Sequence, residues 1–138
     1  QLASARVLDD LRGINRCLYN LSGRTPTTIE SCAATMTRER LDLLREADHL
    51  VMEGLRRHGL YDTIWQCPTV LVPLRLDGHG QEFCIIRPVH SQRAMTARAA
   101  QLPDALVGEL RRDILALDGI SGLALDLTSK PPGTIEWE

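Results

Sequence analysis

Lysine is almost absent from this sequence. Of the 16 basic residues 15 are arginine, and Lys130 is the single lysine in 138 residues. Cysteines at metal-ligand spacing are absent too, since Cys17, Cys32, Cys67 and Cys84 stand 15, 35 and 17 residues apart. Closed zinc sites draw on close-spaced ligand pairs, so no metal site is expected. The chain is 43% apolar, enough for a core that needs no disulfide staple, and buried free thiols in a cytoplasmic protein are the expected state. No apolar run reaches the ~18 residues of a membrane span. Neither sign of charge dominates, with a formal net charge of -2 and 25% charged residues. That balance supplies no basic field for nucleic acid and no acidic tail. There is no signal peptide and no initiator methionine. Gln1 opens inside a helical pattern, so the chain is expected to be part of a longer protein.

What is there reads as alternating helices and strands. Leu2, Ala5, Leu8 and Leu11 form a helical stripe over residues 2–12, and Gly13 stops it. Ile14 to Leu21 reads as a strand, and Ser22 to Ala34 as a loop or linker. Thr37 can cap a long helix to about His58, with Leu41, Leu44, Asp48, Val51 and Leu55 at three- and four-residue steps. Arg56, Arg57 and His58 crowd its C-terminal turn, where cations favour the helix dipole. Ile64 to Leu74 and Glu82 to Val89 read as strands, and Asp77-Gly78-His79-Gly80 between them is a hairpin signal. Pro103 suits a first helical turn, and Leu106, Leu110, Ile114 and Leu117 continue a stripe that Gly119 ends. Ile120 to Leu127 is the last strand. The expected fold is α+β, a mixed or antiparallel sheet with helices packed mainly on one face and the other face left partly free.

The two ends of the chain repeat each other. At an offset of 106 residues, Leu11, Gly13, Ile14, Leu21, Pro26, Thr28, Ile29 and Glu30 match Leu117, Gly119, Ile120, Leu127, Pro132, Thr134, Ile135 and Glu136. The same supersecondary unit is therefore built twice. Residues 1–34 are expected to be the tail of a first copy plus a linker, and residues 35–138 a complete second copy. The second copy ends in Thr128-Ser129-Lys130-Pro131-Pro132-Gly133-Thr134-Ile135-Glu136-Trp137-Glu138. A lone ammonium at a strand end, on a backbone directed by two prolines, suits a phosphate as a point charge. The acidic residues that follow are acceptors for ribose hydroxyls or base N–H groups, and Trp137 can anchor the tail by burial.

The ending LALDLTSKPPGTIEWE resembles the C-terminal signature of GMP synthases. INRCLYNLSG, TIWQCPTVLVPL and FCIIRPVHSQRAMTA are similar to strands of the same family, and the duplicated layout is similar to its long, eukaryotic-type members. The resemblance implies a GMP synthase dimerisation-domain-like fold, a homodimer, and contact with xanthosine 5'-monophosphate (XMP). It also implies upstream glutaminase and ATP pyrophosphatase domains, which supply ammonia and use ATP and Mg to convert XMP to GMP. The motifs of those domains are not in this sequence, so no catalytic residue, cofactor or stand-alone activity is expected. Residue by residue, the resemblance makes Lys130 the phosphate-contacting lysine and puts Ile135, Glu136 and Gln66 beside the nucleotide. Arg87 and Arg16 are candidates for further phosphate contacts, and for Arg87 an ion pair at the sheet edge is the competing reading. The family's usual arginine eight residues before the lysine is Gly122 here, whereas the first copy has Arg16 at the equivalent place and Arg24 in place of the lysine.

Two other readings compete. A helix-backed sheet also suits a stand-alone regulatory module that binds a small molecule or oligomerises. A thiol- or metal-dependent enzyme finds no support in the spacing of Cys and His: His49 and His58 read as solvated on helix faces, His79 sits in the hairpin, and His90 has no visible partner carboxylate.

Overall fold

The computed structural model describes residues 2–137, with side chains from Arg6 to Trp137. The chain runs α1 (Leu2–Asp10), β1 (Leu18–Asn20), β2 (Ile29–Ser31), α2 (Arg38–Arg57), β3 (Thr69–Val72), β4 (Leu74–Leu76), β5 (Glu82–Ile86), β6 (Val89–His90), β7 (Arg98–Ala99), α3 (Asp104–Leu115) and β8 (Ile120–Asp126).

The helices form where apolar side chains recur on one face and where their ends are satisfied. Thr37 caps α2, its hydroxyl accepting the Arg40 amide at 3.3 Å, and Arg56 and Arg57 occupy the last turn. Ala47, Val51 and Leu55 make the buried stripe of α2, and Leu106, Leu110 and Ile114 that of α3. Pro103 stands at the N-cap of α3, in extended backbone just outside the helix.

The main sheet has the order β1-β8-β5-β3. β5 and β8 are parallel, and β1 and β3 pair antiparallel on the two edges, so the sheet is mixed. Strand side chains alternate between faces. On one face Leu71, Cys84, Ile86, Leu123 and Leu125 meet α2 and α3 in the main core. Each fully buried aliphatic side chain there contributes about 1.5–3 kcal/mol. Two polar ties fix the helices to this layer. Thr69 donates to Asp48 of α2 at 2.9 Å, and Arg40 grips the Glu82 carboxylate with two N–H groups at the entry to β5.

The opposite face carries Ile85, Arg87, Ala124 and Asp126, all at most 1% exposed. The expectation of a partly free face holds only at its rim, where Val70, Val72 and Phe83 are half-buried. One end is covered by the two-stranded sheet of β2 and β4, whose Leu76 is 6% exposed. The other end is covered by the C-terminal tail. Four further features differ from the sequence reading. The 22–34 segment is not all loop, because Ile29–Ser31 pairs with Leu74–Leu76. The strand expected over Ile64–Leu74 is split: β3 stays in the main sheet, Pro73 follows it, and β4 turns out to meet β2. Asp77 and Gly78 do form the tight turn, both at positive φ, but they join Leu76 to His79 rather than two long strands. The strand expected over Glu82–Val89 breaks at Arg87-Pro88 and resumes as β6, which pairs with β7.

Cys67 and Cys84 are buried free thiols, while Cys17 and Cys32 are half-buried. Burial, with the nearby Asp48 charge second, pushes both buried thiols up to about 12. Iodoacetamide at pH 8 should therefore modify Cys17 and Cys32 in the folded protein and reach Cys67 and Cys84 only after denaturant is added, as read by mass spectrometry. Because the folded thiols hold their protons longer than unfolded ones near ~8.5, their contribution to stability is complete below that pH and declines as pH rises toward about 12.

Candidate functional site

The tail begins where β8 ends, and its backbone is held almost residue by residue. The Lys130 amide donates to the Ala97 carbonyl at 2.8 Å, and the Ala97 amide returns the bond at 3.1 Å. The Gly133 amide donates to the Ser129 carbonyl at 3.0 Å, and the Ser129 hydroxyl to the Pro131 carbonyl at 2.8 Å. Both peptide bonds into Pro131 and Pro132 are cis. A Cβ on Gly133 would stand 2.8 Å from the Thr128 methyl, 3.2 Å from the Asn15 carbonyl oxygen and 3.3 Å from the Arg16 guanidinium. Only glycine lets the tail pass this close.

Beyond Gly133 the tail is gripped by two arginines. Arg87, at the end of β5 and 0% exposed, donates to the carbonyls of Ile135, Thr128 and Thr134 at 2.8, 2.9 and 2.8 Å. Its Nη1 also lies 3.1 Å from Asp126 Oδ1. Arg16, just before β1, donates to Asp126 Oδ2 at 3.1 Å, to the Thr134 carbonyl at 2.9 Å and hydroxyl at 2.7 Å, and to the Glu136 carbonyl at 2.8 Å. Trp137 donates its indole N–H to Asp126 Oδ2 at 2.9 Å, and its ring lies 5.0 Å from the Arg16 guanidinium carbon. The Thr128 amide fills the last place on Asp126 Oδ1 at 2.9 Å. Asp126 thus takes three hydrogen bonds and the Arg87 ion pair on its two oxygens, which fills its capacity. Burial lowers the pKa of the Arg87 guanidinium from its ordinary value, and Asp126 opposes that shift.

The structure brings three of the expected nucleotide-facing residues together. Ile135 is 7% exposed and packs with Val89 and Ala97. Ala97 is the residue bonded to Lys130, and Val89 bridges Gln66 through its amide and carbonyl. Lys130, Ile135 and Gln66 therefore surround one small apolar cluster, and Glu136 lies next along the tail. Glu136 offers only its carbonyl to Arg16. Among the described residues, neither the Lys130 ammonium nor the Glu136 carboxylate has an ion-pair partner, and Gln66 is exposed. Arg16 and Arg87 lie apart from this group in role. Their donors are engaged inside the fold by the tail carbonyls and Asp126, so the geometry makes them holders of the tail.

Asp126, Thr128 and the Arg16–Trp137 contact escaped the sequence reading. The available signal was Asp126 itself, a charge in the apolar run Leu123-Ala124-Leu125-Asp126-Leu127, which a buried strand accommodates only with partners. The larger grooves lie elsewhere. One of about 960 Å³ runs past Tyr19, Leu102, Val107 and Arg111, and one of about 760 Å³ past Arg40, Arg75 and Glu82. Lys130 is half-buried and lines neither groove. No group of His, Cys, Asp and Glu suited to a metal occurs among the described residues, and no helix among them is long and apolar enough to cross a membrane.

Residues 53–137, from the last turn of α2 to the end of the described tail, match the family described as GMP synthase C terminal domain. The chain belongs to that family. It is 43% identical over 114 residues to the glutamine-hydrolyzing GMP synthase of Roseobacter denitrificans, a match covering 78% of this chain and 22% of the relative. It is 45% identical over 111 residues to the same enzyme of Leifsonia xyli, covering 75% and 22%. It is 45% identical over 97 residues to a probable GMP synthase of Leptospira interrogans, covering 70% and 16%. The chain therefore spans about a fifth of the length of these GMP synthases. The family match contains Arg87, Asp126, Lys130 and the tail, while Arg16 precedes it.

Removing Asp126 would leave Arg87 buried without its counter-charge. Breaking a buried pair from one side costs about 3–5 kcal/mol. Asp126→Ala should lower the unfolding free energy of the chain by that amount in urea titration. A loss below about 1 kcal/mol, the scale of an exposed pair, would show that the carboxylate does not hold the tail.

Proposed function

We propose that this chain is the part of a GMP synthase that closes over XMP and contributes to assembly, working in the cytoplasm beside the glutaminase and ATP pyrophosphatase domains. The observation that carries the reading is the contrast within the tail. Its backbone is locked by Ala97, Arg87 and Arg16, yet the Lys130 ammonium and the Glu136 carboxylate have no ion-pair partner among the described residues. A rigid backbone that presents unpaired charges is pre-organised for a ligand, because little ordering remains to be done on binding.

In this reading the Lys130 ammonium meets the XMP phosphate as a point charge. The Glu136 carboxylate accepts from ribose hydroxyls or base N–H groups. The Gln66 amide both donates and accepts toward the nucleotide, and Ile135 keeps the tail seated against Val89 and Ala97. Arg16 and Arg87 serve the phosphate indirectly, by holding the backbone that carries Lys130. ATP and Mg belong to the pyrophosphatase domain, which adenylates XMP before ammonia displaces AMP and gives GMP. This chain supplies no group to those bond changes. Its part is to orient the nucleotide and exclude water, which makes the substrate site effective once closed.

In an enzyme carrying this chain, Lys130→Ala should raise the KM for XMP by roughly ten- to a hundredfold, the loss of one charge-assisted bond. Glutamine hydrolysis, measured as glutamate release, should be unchanged. A KM for XMP within twofold of wild type would end the nucleotide reading and favour a regulatory module. Assembly is checked separately: light scattering of the same enzyme should give twice the mass of one chain, and a mass of one chain at micromolar concentration would remove the homodimer from the proposal.

A further inference from the structure

The phosphate contact at Lys130 is short of positive charge. A phosphate monoester carries about −1.5 to −2 charges near neutral pH, and the Lys130 ammonium supplies only one in return. The two arginines expected to add to it are engaged elsewhere, since Arg87 and Arg16 give their donors to Asp126 and to tail carbonyls. Any further cation from this chain therefore lies at another position. Residues 83–103 contain no Asp or Glu, the longest such run in a chain that holds 18 acids. Besides Arg87 this run carries Arg93 and Arg98. Both are exposed, and neither guanidinium has a hydrogen bond or an ion pair among the described residues.

Arg93 sits in the turn that joins β6 to β7, and that turn is braced. The Ser91 hydroxyl donates to the Thr96 carbonyl at 2.7 Å and accepts the Ala94 amide at 2.9 Å. Ala94 lies at φ 58°, in the left-handed region that alanine enters only at a cost. It packs against Val89, Ala97 and Ile135, while its neighbours Arg93 and Met95 are exposed. A strained residue persists where the surrounding structure holds it, so the backbone that carries Arg93 is fixed. The small apolar cluster thus has four members, and each has one polar side chain beside it. Gln66 bridges Val89, Lys130 bridges Ala97, Glu136 follows Ile135, and Arg93 precedes Ala94. The first three are the nucleotide-facing candidates. Arg98 is placed differently. It stands opposite His90 on β6, one residue out of step with the Val89–Ala99 pair, so it projects from the other face of the hairpin.

We infer that Arg93 is a second phosphate-contacting residue for XMP, acting with Lys130 at the rim of the cluster of Val89, Ala94, Ala97 and Ile135. This rests on the nucleotide role proposed above and deepens it. An ammonium acting as a point charge and a guanidinium fork together neutralise a dianion, and the fork can take two phosphate oxygens at once. Arg93 breaks no existing bond when it meets the ligand, unlike Arg16 and Arg87, which would have to release the tail. The competing partner for an unpaired guanidinium is a carboxylate on another domain of the enzyme, and the test separates the two.

The test uses an enzyme carrying this chain, with XMP as the varied substrate. Arg93→Ala should raise the KM for XMP about tenfold, the scale of one charge-assisted bond. The KM for ATP, glutamate release and the melting temperature should stay as in wild type, since the side chain has no partner in the fold. Arg93→Lys, a point charge without the fork, should recover part of the loss. Arg93→Glu should raise KM beyond Arg93→Ala, because it sets a like charge beside the phosphate. Arg98→Ala removes an exposed cation from the other face of the hairpin and should leave KM unchanged. If it raises KM as much as Arg93→Ala does, the effect is that of a general positive field and the contact is refuted. A rise in the KM for ATP that matches the rise for XMP would set Arg93 against another domain and overturn the contact as well. A KM for XMP within about twofold of wild type in Arg93→Ala, below the scale of one such bond, refutes it outright. Lys130→Ala is measured in parallel. If its KM for XMP is unchanged, the nucleotide reading fails and this inference falls with it. If its KM rises while that of Arg93→Ala does not, the nucleotide reading stands and Arg93 alone is removed from the site.

Discussion

One carboxylate, wholly removed from water, joins three distant segments of this chain. Asp126 holds Arg87 from just after β5, Arg16 from the run before β1, and Trp137 from the end of the tail. A buried acid of this kind is tolerable only when every lone pair is matched, because desolvation otherwise outweighs the attraction of the ions. Here the match is complete on the acid, and the two arginines pass their remaining donors to tail carbonyls that would otherwise be unsatisfied. The tail has little apolar surface of its own beyond Ile135 and Trp137, and its carbonyls point inward. Without the arginines, those carbonyls would favour water and the tail would have no reason to stay.

The strand that carries Asp126 divides the molecule's tasks between its two faces. Leu123 and Leu125 point into the helices, where area and close packing decide the energy. Ala124 and Asp126 point the other way, where a small side chain and a charge leave room for polar contacts of defined direction. A non-directional core is well suited to stability, and directed hydrogen bonds are suited to fixing the position of a backbone. The binding candidates Lys130 and Glu136 hang from the second kind of structure, braced by the first.

The helices were readable in the sequence because their signals are local. Thr37, the Ala47–Val51–Leu55 stripe and the terminal arginines all act within a turn or two of each other. The order of elements and the helix-covered face followed from the same periodicity. The short strands were not readable. β2 and β4 are three residues each and pair across more than forty residues of sequence, and Pro73 gives no sign of which sheet the chain will join next. Arg87 is another such case: in sequence it is one arginine among 15, and its burial becomes visible only when Asp126 is placed beside it. Lys130 stood out by composition and by resemblance, yet the Ala97 bridge that seats it is set by a loop with no strand pattern of its own.

The clasp around Asp126 has a consequence for how this sequence can change. Arg87, Arg16 and Trp137 all depend on the one carboxylate, so replacing any of the four alone strands a partner. Position 122 is closed for a different reason, because a Cβ there would stand 2.7 Å from Leu76 and 2.8 Å from Phe83. Substitutions at the clasp are therefore inherited together or not at all, while the exposed Tyr19 and Asn20 on the facing strand are left to vary.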